Sequence, residues 1–316
     1  MQERTLTVRV SRIHRETPEI LSFELSHPYG RALPSYEAGA HIDVHMPGGF
    51  SRQYSLAQAC SDSDRYVIGV KREPASRGGS ASLHSRVQEG DLIAISSPRN
   101  AFALDMHAEH HLLMAGGIGI TPMLAMAHTL QAAGKSFTLC VFARSLVHVA
   151  FADQLQQTTL APHVHLFLDD GGERADLAQL LAAQSAGTHL YMCGPAGFMA
   201  AVRNAAASWA EERIHAEYFA APTDAAAQAG QAFTLKLSKR GIDIPVAADQ
   251  TAVDALHDFG IDIPVSCEQG LCGTCVVDAV GSDAEHRDFC LTTAERSHKV
   301  ALCCSRAKNK ALTIHL

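Results

Sequence analysis

A chain of 316 residues is long enough for two or three compact units, each with its own core. With 47% hydrophobic and 19% charged residues it is neither a disordered nor a collagen-like chain. The net charge of −7 argues against a nucleic-acid backbone as the main partner.

Residues 1–10 alternate polar and apolar side chains and lack the apolar core of a secretory signal, so a cytoplasmic protein is expected. The longest uncharged run, 112–127, holds glycines and a proline and falls short of the roughly 20 residues of a membrane span, so no membrane partner is expected. In a reducing compartment the nine cysteines point to metal or catalytic roles before disulfides. Cys60, Cys140 and Cys193 are scattered, whereas Cys267, Cys272, Cys275, Cys290, Cys303 and Cys304 crowd the C-terminal end.

From Leu6 to Ser96 short runs of period-two alternation (6–10, 41–46, 66–70, 92–95), separated by Gly, Pro and Ser, predict an antiparallel barrel or sandwich. Near His111 the rhythm changes to buried strands (111–115, 137–142, 163–168, 189–193) interleaved with helical stretches, the pattern of a parallel sheet with crossover helices. The first of those helices is expected to have Thr121 as its cap, Pro122 at its first position and Gly134 at its end. Residues 221–231 read as a linker. Beyond it, strands near 233–237 and 242–246 and a helix near 251–259 precede the cysteine loop.

Cys267, Cys272 and Cys275 have the spacing C-x4-C-x2-C, with further cysteine about thirty residues on, as a plant-type 2Fe-2S cluster requires of four thiolates. Gly270 and Gly273 suit close approach of backbone amides to the cluster. Zinc is the rival, but zinc knuckles come as paired C-x2-C and one such pair exists here. Cys290 reads as a small buried residue.

The segment 265–275 resembles the cluster loop of plant-type ferredoxins, and more closely that of the phthalate dioxygenase reductase and vanillate demethylase reductase family. In that family the last ligand lies in a Cys-x-Ser-Arg-Ala segment, which implies Cys303; residues adjacent on a strand point oppositely, so Cys303 and Cys304 cannot both face the cluster. The resemblance covers the whole chain. It implies a multidomain protein of antiparallel flavin-binding β-barrel (1–104), α/β parallel-sheet nicotinamide domain (105–224) and C-terminal β-grasp ferredoxin domain (225–316).

Arg52-Gln53-Tyr54-Ser55-Leu56 resembles the flavin segment of ferredoxin reductase-type barrels. Arginine suits a phosphate, tyrosine an aromatic face and serine the ring nitrogen that receives hydride. Arg77-Gly78-Gly79-Ser80-Ala81-Ser82 suits an anion-binding turn before a helix. By resemblance that turn takes the flavin phosphate, Gly69, Val70 and Lys71 line the ring, and residues 98–102 fit a strand-end segment of the same barrels. The domain order implies FMN rather than FAD.

Between a buried strand and a helix, Gly116-Gly117-Ile118-Gly119-Ile120-Thr121-Pro122 lets backbone approach a pyrophosphate, although Pro122 stands where G-x-G-x-x-G has its third glycine. Cys193-Gly194-Pro195 ends another strand and, by resemblance, abuts the nicotinamide, making Cys193 and Ser55 the catalytic candidates. Glu217-Tyr218-Phe219 resembles the closing segment, with Phe219 covering the flavin. Arg144 and Asp169 fall at dinucleotide positions; with no dense basic cluster NADH is expected, and Arg144 is the one residue suited to a 2′-phosphate.

The 18 histidines, including His107, His110, His111, His163 and His165, complete no ligand spacing and read as surface or strand residues. The resemblance implies electron flow from NADH to FMN, to the cluster, and to a separate Rieske-type terminal oxygenase docking near the ferredoxin domain. No Cys-x-His pair places a Rieske centre in this chain. Rival functions are a reductase for a haem monooxygenase, a diaphorase, and a redox-sensing binding module.

Overall fold

The structure is a computed structural model and describes residues 5–58, 64–74, 78–171, 175–220, 230–281 and 283–316. Cys60, Arg77 and most of the expected linker lie outside the described residues. Two compact units emerge, residues 1–219 and 220–316.

The first unit opens with an antiparallel sheet in the order Phe50–Ser55, Ala40–Met46, Leu92–Ser96, Thr5–Arg15, Ile20–Ser26, Arg65–Lys71. A bridge between Leu56 and Ile68 brings the two outer strands together, so the barrel is nearly closed. Alternation explains its interior: Val8, Val10, Phe23, Leu25, Ile42, Val44, Ile68, Val70 and Ile95 are fully buried, each contributing about 1.5–3 kcal/mol relative to exposure. The break in pairing register between Val10 and Arg12 divides the long first strand, which pairs with Leu92–Ser96 before it and mostly with Ile20–Ser26 beyond it.

The rest of that unit is a parallel sheet in the order Val164–Leu168, Phe137–Ala143, His110–Gly116, Thr188–Cys193, Ile214–Glu217. Chain order reverses between His110–Gly116 and Thr188–Cys193. Open α/β sheets bind ligands at the carboxyl ends of such a pair, and the loops there are 116–122 and 193–195. The helix Ile120–Ala132 departs from expectation at its start: Gly119 is the cap, Thr121 sits inside the first turn with Oγ1 donating to the Ile118 carbonyl, and Pro122 is the third helical residue. A short 3-10 turn over Gly117–Gly119 feeds straight into the helix, which moves the cap two residues upstream. Its end matches expectation, with Gly134 at φ 62° and amides of Gly134 and Lys135 donating to Gln131 and Leu130 carbonyls.

The histidines are organised at the opposite, amino ends of these strands. His111 is fully buried, its Nε2 2.7 Å from the Asp105 carbonyl oxygen, and His189 Nδ1 lies 3.0 Å from His215 Nε2, with His215 stacked on Tyr191. Burial, reinforced by neighbouring His189 and His111 and opposed by Asp105, pushes His215 down to about 4. An unfolded histidine protonates near 6.5, so this group's contribution to stability is complete above pH 6.5 and lost as pH falls toward 4. Thermal unfolding between pH 7 and 4 should therefore show a declining Tm, and His215→Phe should flatten that decline; an unchanged slope would count against the assignment.

The second unit packs helix Ala252–Asp258 on a mixed sheet, Ile242–Val246 antiparallel and Ala311–Ile314 parallel to the central Phe233–Leu237. Thr251 and Asp254 form a capping box at the helix start. Arg306, 6% exposed, ties the unit's entry to this frame by donating to the carbonyls of Gln231, Ala247 and Gln250 and lying over the Phe233 ring.

Candidate functional site

Within the first unit, the strand end at Ser55 meets the last strand of the parallel sheet. Ser55 Oγ donates to Glu217 Oε2 at 2.9 Å, and Glu217 sits beside Cys193 in strand register. Ser55 is 5% exposed and Cys193 not at all. Burial pushes the Glu217 carboxyl up to about 7, against the opposing pull of the Ser55 hydroxyl. Burial and then the Glu217 charge push the Cys193 thiol well above its ordinary range, so it is a neutral thiol. The sequence places Ser55 and Cys193 in separate segments and Glu217 in the closing segment, with no role assigned to its carboxyl. A carboxylate one residue before the aromatic pair Tyr218-Phe219, in a strand otherwise apolar at Ala216, was the available signal.

Gly119 and Gly194 let two loops touch. A Cβ on Gly119 would overlap the Cys193 carbonyl, and one on Gly194 would collide with Phe198 and the Gly116 backbone. Gly116 is less tightly confined, by Pro195 and Phe198, while Gly117 has open space and takes φ 53°. Gly116, Gly117, Gly119, Thr121, Pro122, Cys193, Gly194 and Pro195 are thus brought together at the carboxyl ends of adjacent strands. Phe219 is 40% exposed and Asp169 exposed, the latter opening a 3-10 turn. Arg144 is not free: its guanidinium pairs with Glu19 Oε2 at 2.8 Å.

On the barrel, helix Gly79–Arg86 begins at Gly78 (φ 98°) with no side-chain cap, and the Arg52 stem fills the space beside Gly79 that a Cβ would need. Helix-start amides with no side-chain cap, next to an arginine stem, are an arrangement that suits an anion such as a phosphate. Tyr54 packs on the barrel core, and burial raises its phenol. Val70 is fully buried, and Lys71 Nζ pairs with Glu73 Oε1 at 2.8 Å. Ser80 Oγ accepts from the Glu73 amide, and buried Ser82 donates to the Pro47 carbonyl, supporting the turn from within.

In the second unit the sulfurs of Cys267, Cys272, Cys275 and Cys303 lie close enough to perturb one another's ionisation. Backbone amides aim at the same sulfurs: Gln269 and Leu271 at Cys267 (both 3.4 Å), Thr274 at Cys272 (3.4 Å) and Gly270 at Cys303 (3.2 Å). The thiols of Cys272 and Cys303, with the two amides, pull Cys267 down toward thiolate. A donor set of four converging sulfurs with amides that stabilise negative charge fits a four-thiolate 2Fe-2S cluster. Among the described residues no group of three or more His, Cys, Asp or Glu forms a site for a single metal ion.

The Cys303–Cys304 doublet differs from expectation in its backbone. The strand ends at Ala301 and both cysteines lie in a turn, so strand alternation does not separate them. Their surroundings do: Cys303, 4% exposed, receives the Gly270 amide, whereas Cys304 Sγ packs where a Gly270 side chain would be and points to the Ala301 carbonyl. Gly270 must therefore be glycine, both for φ 73° and for the sulfur behind it. Cys290 is half-buried rather than buried and packs against the Cys275–Cys303 group.

Residues 235–308 match the model of the 2Fe-2S iron-sulfur cluster binding domain, and residues 93–213 that of the dimethylamine monooxygenase subunit DmmA-like N-terminal domain. The chain is 44% identical to a vanillate O-demethylase oxidoreductase of Pseudomonas sp. (strain HR199 / DSM 7063), over 98% of this chain and all of the relative. It is 37% identical to the phthalate dioxygenase reductase of Burkholderia cepacia, over 98% and 97% of the two chains. The chain belongs to the vanillate O-demethylase oxidoreductase and phthalate dioxygenase reductase family. Membership makes it an electron-transfer oxidoreductase.

Among solved structures, a phthalate dioxygenase reductase, described as modular for electron transfer from pyridine nucleotides to 2Fe-2S, matches at TM-score 0.73 and 37% identity, covering 99% of this chain and 98% of that one. An intact type IV self-sufficient cytochrome monooxygenase matches at TM-score 0.91 and 37% identity, covering 99% of this chain and 41% of the other. No described helix is long and apolar enough to cross a membrane.

Proposed function

We propose that the chain is the reductase component of a two-component Rieske-type aromatic oxygenase or demethylase, taking electrons from NADH through FMN and a 2Fe-2S cluster to a separate oxygenase. The observation that carries this reading is the Ser55–Glu217 hydrogen bond beside Cys193, which joins barrel and parallel sheet where a hydride donor and acceptor must meet. FMN and the cluster, when bound, supply the conversion of a two-electron donor into single electrons.

The residues divide the labour by position. Arg52 and the turn Gly78–Ser82 hold the flavin phosphate, Tyr54 and Val70–Lys71 line the ring, and Ser55 presents its hydroxyl toward the ring edge. Gly116–Pro122 and Cys193–Pro195 bind the dinucleotide at the sheet's switch point. The buried Cys193 thiol and the Ser55–Glu217 pair exclude water from the nicotinamide, and Glu217 holds the Ser55 hydroxyl in place. Arg144 pairs with Glu19 and stands outside any dense basic cluster, which supports NADH.

Cys267, Cys272, Cys275 and Cys303 hold the cluster. Cys267 and Cys272 are half-buried while Cys275 and Cys303 are buried, so the outlet for electrons is on the Cys267–Cys272 side. Exposed Val265 and Glu268 flank it and support docking of the oxygenase there. The same reading assigns 1–104 to the flavin barrel, 105–224 to the nicotinamide domain and 225–316 to the ferredoxin domain.

A second reading, a reductase for a haem monooxygenase, is favoured by the likeness to the self-sufficient cytochrome monooxygenase. Anaerobic titration followed by reconstitution decides between them. NADH should bleach the flavin and cluster absorbance, and the reduced protein should sustain turnover of a purified vanillate or phthalate oxygenase component. Turnover with a haem monooxygenase alone would favour the second reading, and a cofactor-loaded protein that reduces no acceptor would overturn both.

A further inference from the structure

Phe151 is a non-glycine residue at φ 58°, ψ 30°, only 2% exposed, at the start of the helical turn Ala152–Leu155. A left-handed conformation is strained for an L-residue, so the surroundings must hold it. They do so from 135 residues away: the Phe151 amide donates to Glu16 Oε2 at 2.9 Å, while Glu16 Oε1 accepts from Ser22 Oγ at 2.7 Å. One carboxylate therefore bridges a barrel strand and the parallel-sheet half of the same unit.

The bridge bears on the reacting geometry through Gly69. Ser22 pairs with Gly69 in the barrel ladder, and the space a Gly69 side chain would occupy is filled by Thr121 Cγ2, Ile118 Cδ1 and the Phe151 ring. Ile118 and Thr121 belong to the dinucleotide loop, and Gly69 precedes the Val70–Lys71 segment assigned to the flavin ring. The nearby Arg144–Glu19 pair also spans the two halves but is largely exposed, so it contributes little to fixing them.

We propose that Glu16 is a positioning residue for hydride transfer, holding the dinucleotide loop against the flavin strand through the amide of Phe151. This rests on the flavin–nicotinamide reading above. It requires an acceptor for the Phe151 amide and a partner for Ser22, and does not require the negative charge. Glutamine meets both demands, its carbonyl accepting from Phe151 and its amide donating to Ser22 Oγ. Alanine meets neither.

The test is anaerobic stopped-flow bleaching of the flavin-loaded full chain by NADH, resolving the limiting rate from the half-saturating NADH concentration. Glu16→Ala should slow the limiting rate roughly tenfold or more, because small misplacements of reacting atoms are costly, with half-saturation moving less than about threefold. Glu16→Gln should recover to within about threefold of wild type, and flavin content should be unchanged in both. An Ala variant at the wild-type rate, or a Gln variant as slow as Ala, would overturn the proposal. If the Ala variant fails to load flavin, Glu16→Asp takes its place: it keeps the charge but is too short to span both partners, so it should be slow where Gln is fast, and the reverse order would overturn the clamp. A wild-type flavin that NADH does not bleach would overturn the underlying reading, whereas a bleached wild type with indifferent variants would overturn the clamp alone.

Discussion

Replacing Cys272 with serine should reduce NADH-dependent cytochrome c reduction on the order of a hundredfold while ferricyanide reduction persists. Cys272 is one of four converging sulfurs, and the Thr274 amide already points at it. A serine hydroxyl is shorter and far less readily ionised than a thiol, so it is a poor fourth donor to iron. Ferricyanide accepts electrons directly from flavin, which lies outside the second unit's cysteine loop, so that activity reports on an intact first unit. Iron content and visible absorbance of the purified variant provide the independent readout. Unchanged iron content together with unchanged cytochrome c reduction would remove Cys272 from the ligand set.

Glu217→Gln should make the protein more stable at pH 8 and slower at hydride transfer. An unfolded Glu217 carboxyl titrates near 4.5, and burial raises it to about 7 in the folded protein. Between those values the folded state binds the additional proton, so this group's contribution is complete below pH 4.5 and lost as pH rises through 7. At about 1.4 kcal/mol per pH unit the loss above pH 7 is roughly 3 kcal/mol, which a permanently neutral amide avoids. The same substitution removes the titration, so the inflection near pH 7 expected in the wild-type flavin-reduction rate should vanish. Tm against pH and stopped-flow rate against pH measure the two halves. A variant no more stable than wild type at pH 8, with the inflection still present, would show that Glu217 is not the titrating group. Stability given up at a buried carboxylate is the usual mark of a group kept for function.

Much of this was legible in the residues themselves. Strands expected at 233–237 and 242–246 occur at those positions, and the other expected strands lie within a residue or so of their expected ends except the first, which runs on to Arg15, because alternation and apolar run length are local properties; the strands Ile20–Ser26 and Ile214–Glu217 were not expected. The cysteine loop was legible for the same reason, its ligand spacing being written in one short segment. The cap of the first crossover helix was misplaced because a 3-10 turn, which leaves no period of its own in the sequence, precedes it.

By itself, then, the amino-acid order determined the antiparallel alternation of the first part, the strand–helix rhythm of the second, the cluster-type cysteine spacing and the glycine-bearing loops, since each depends on neighbours a few residues apart. Only the tertiary structure decided which partners meet across long separations: Ser55 with Glu217, Glu16 with Phe151, and the Gly270 amide with Cys303 rather than Cys304. Those pairings are chosen by sheet register and loop closure. A buried hydrogen bond is made wherever the fold delivers a donor to an acceptor, and nothing in the local sequence of either partner records the other.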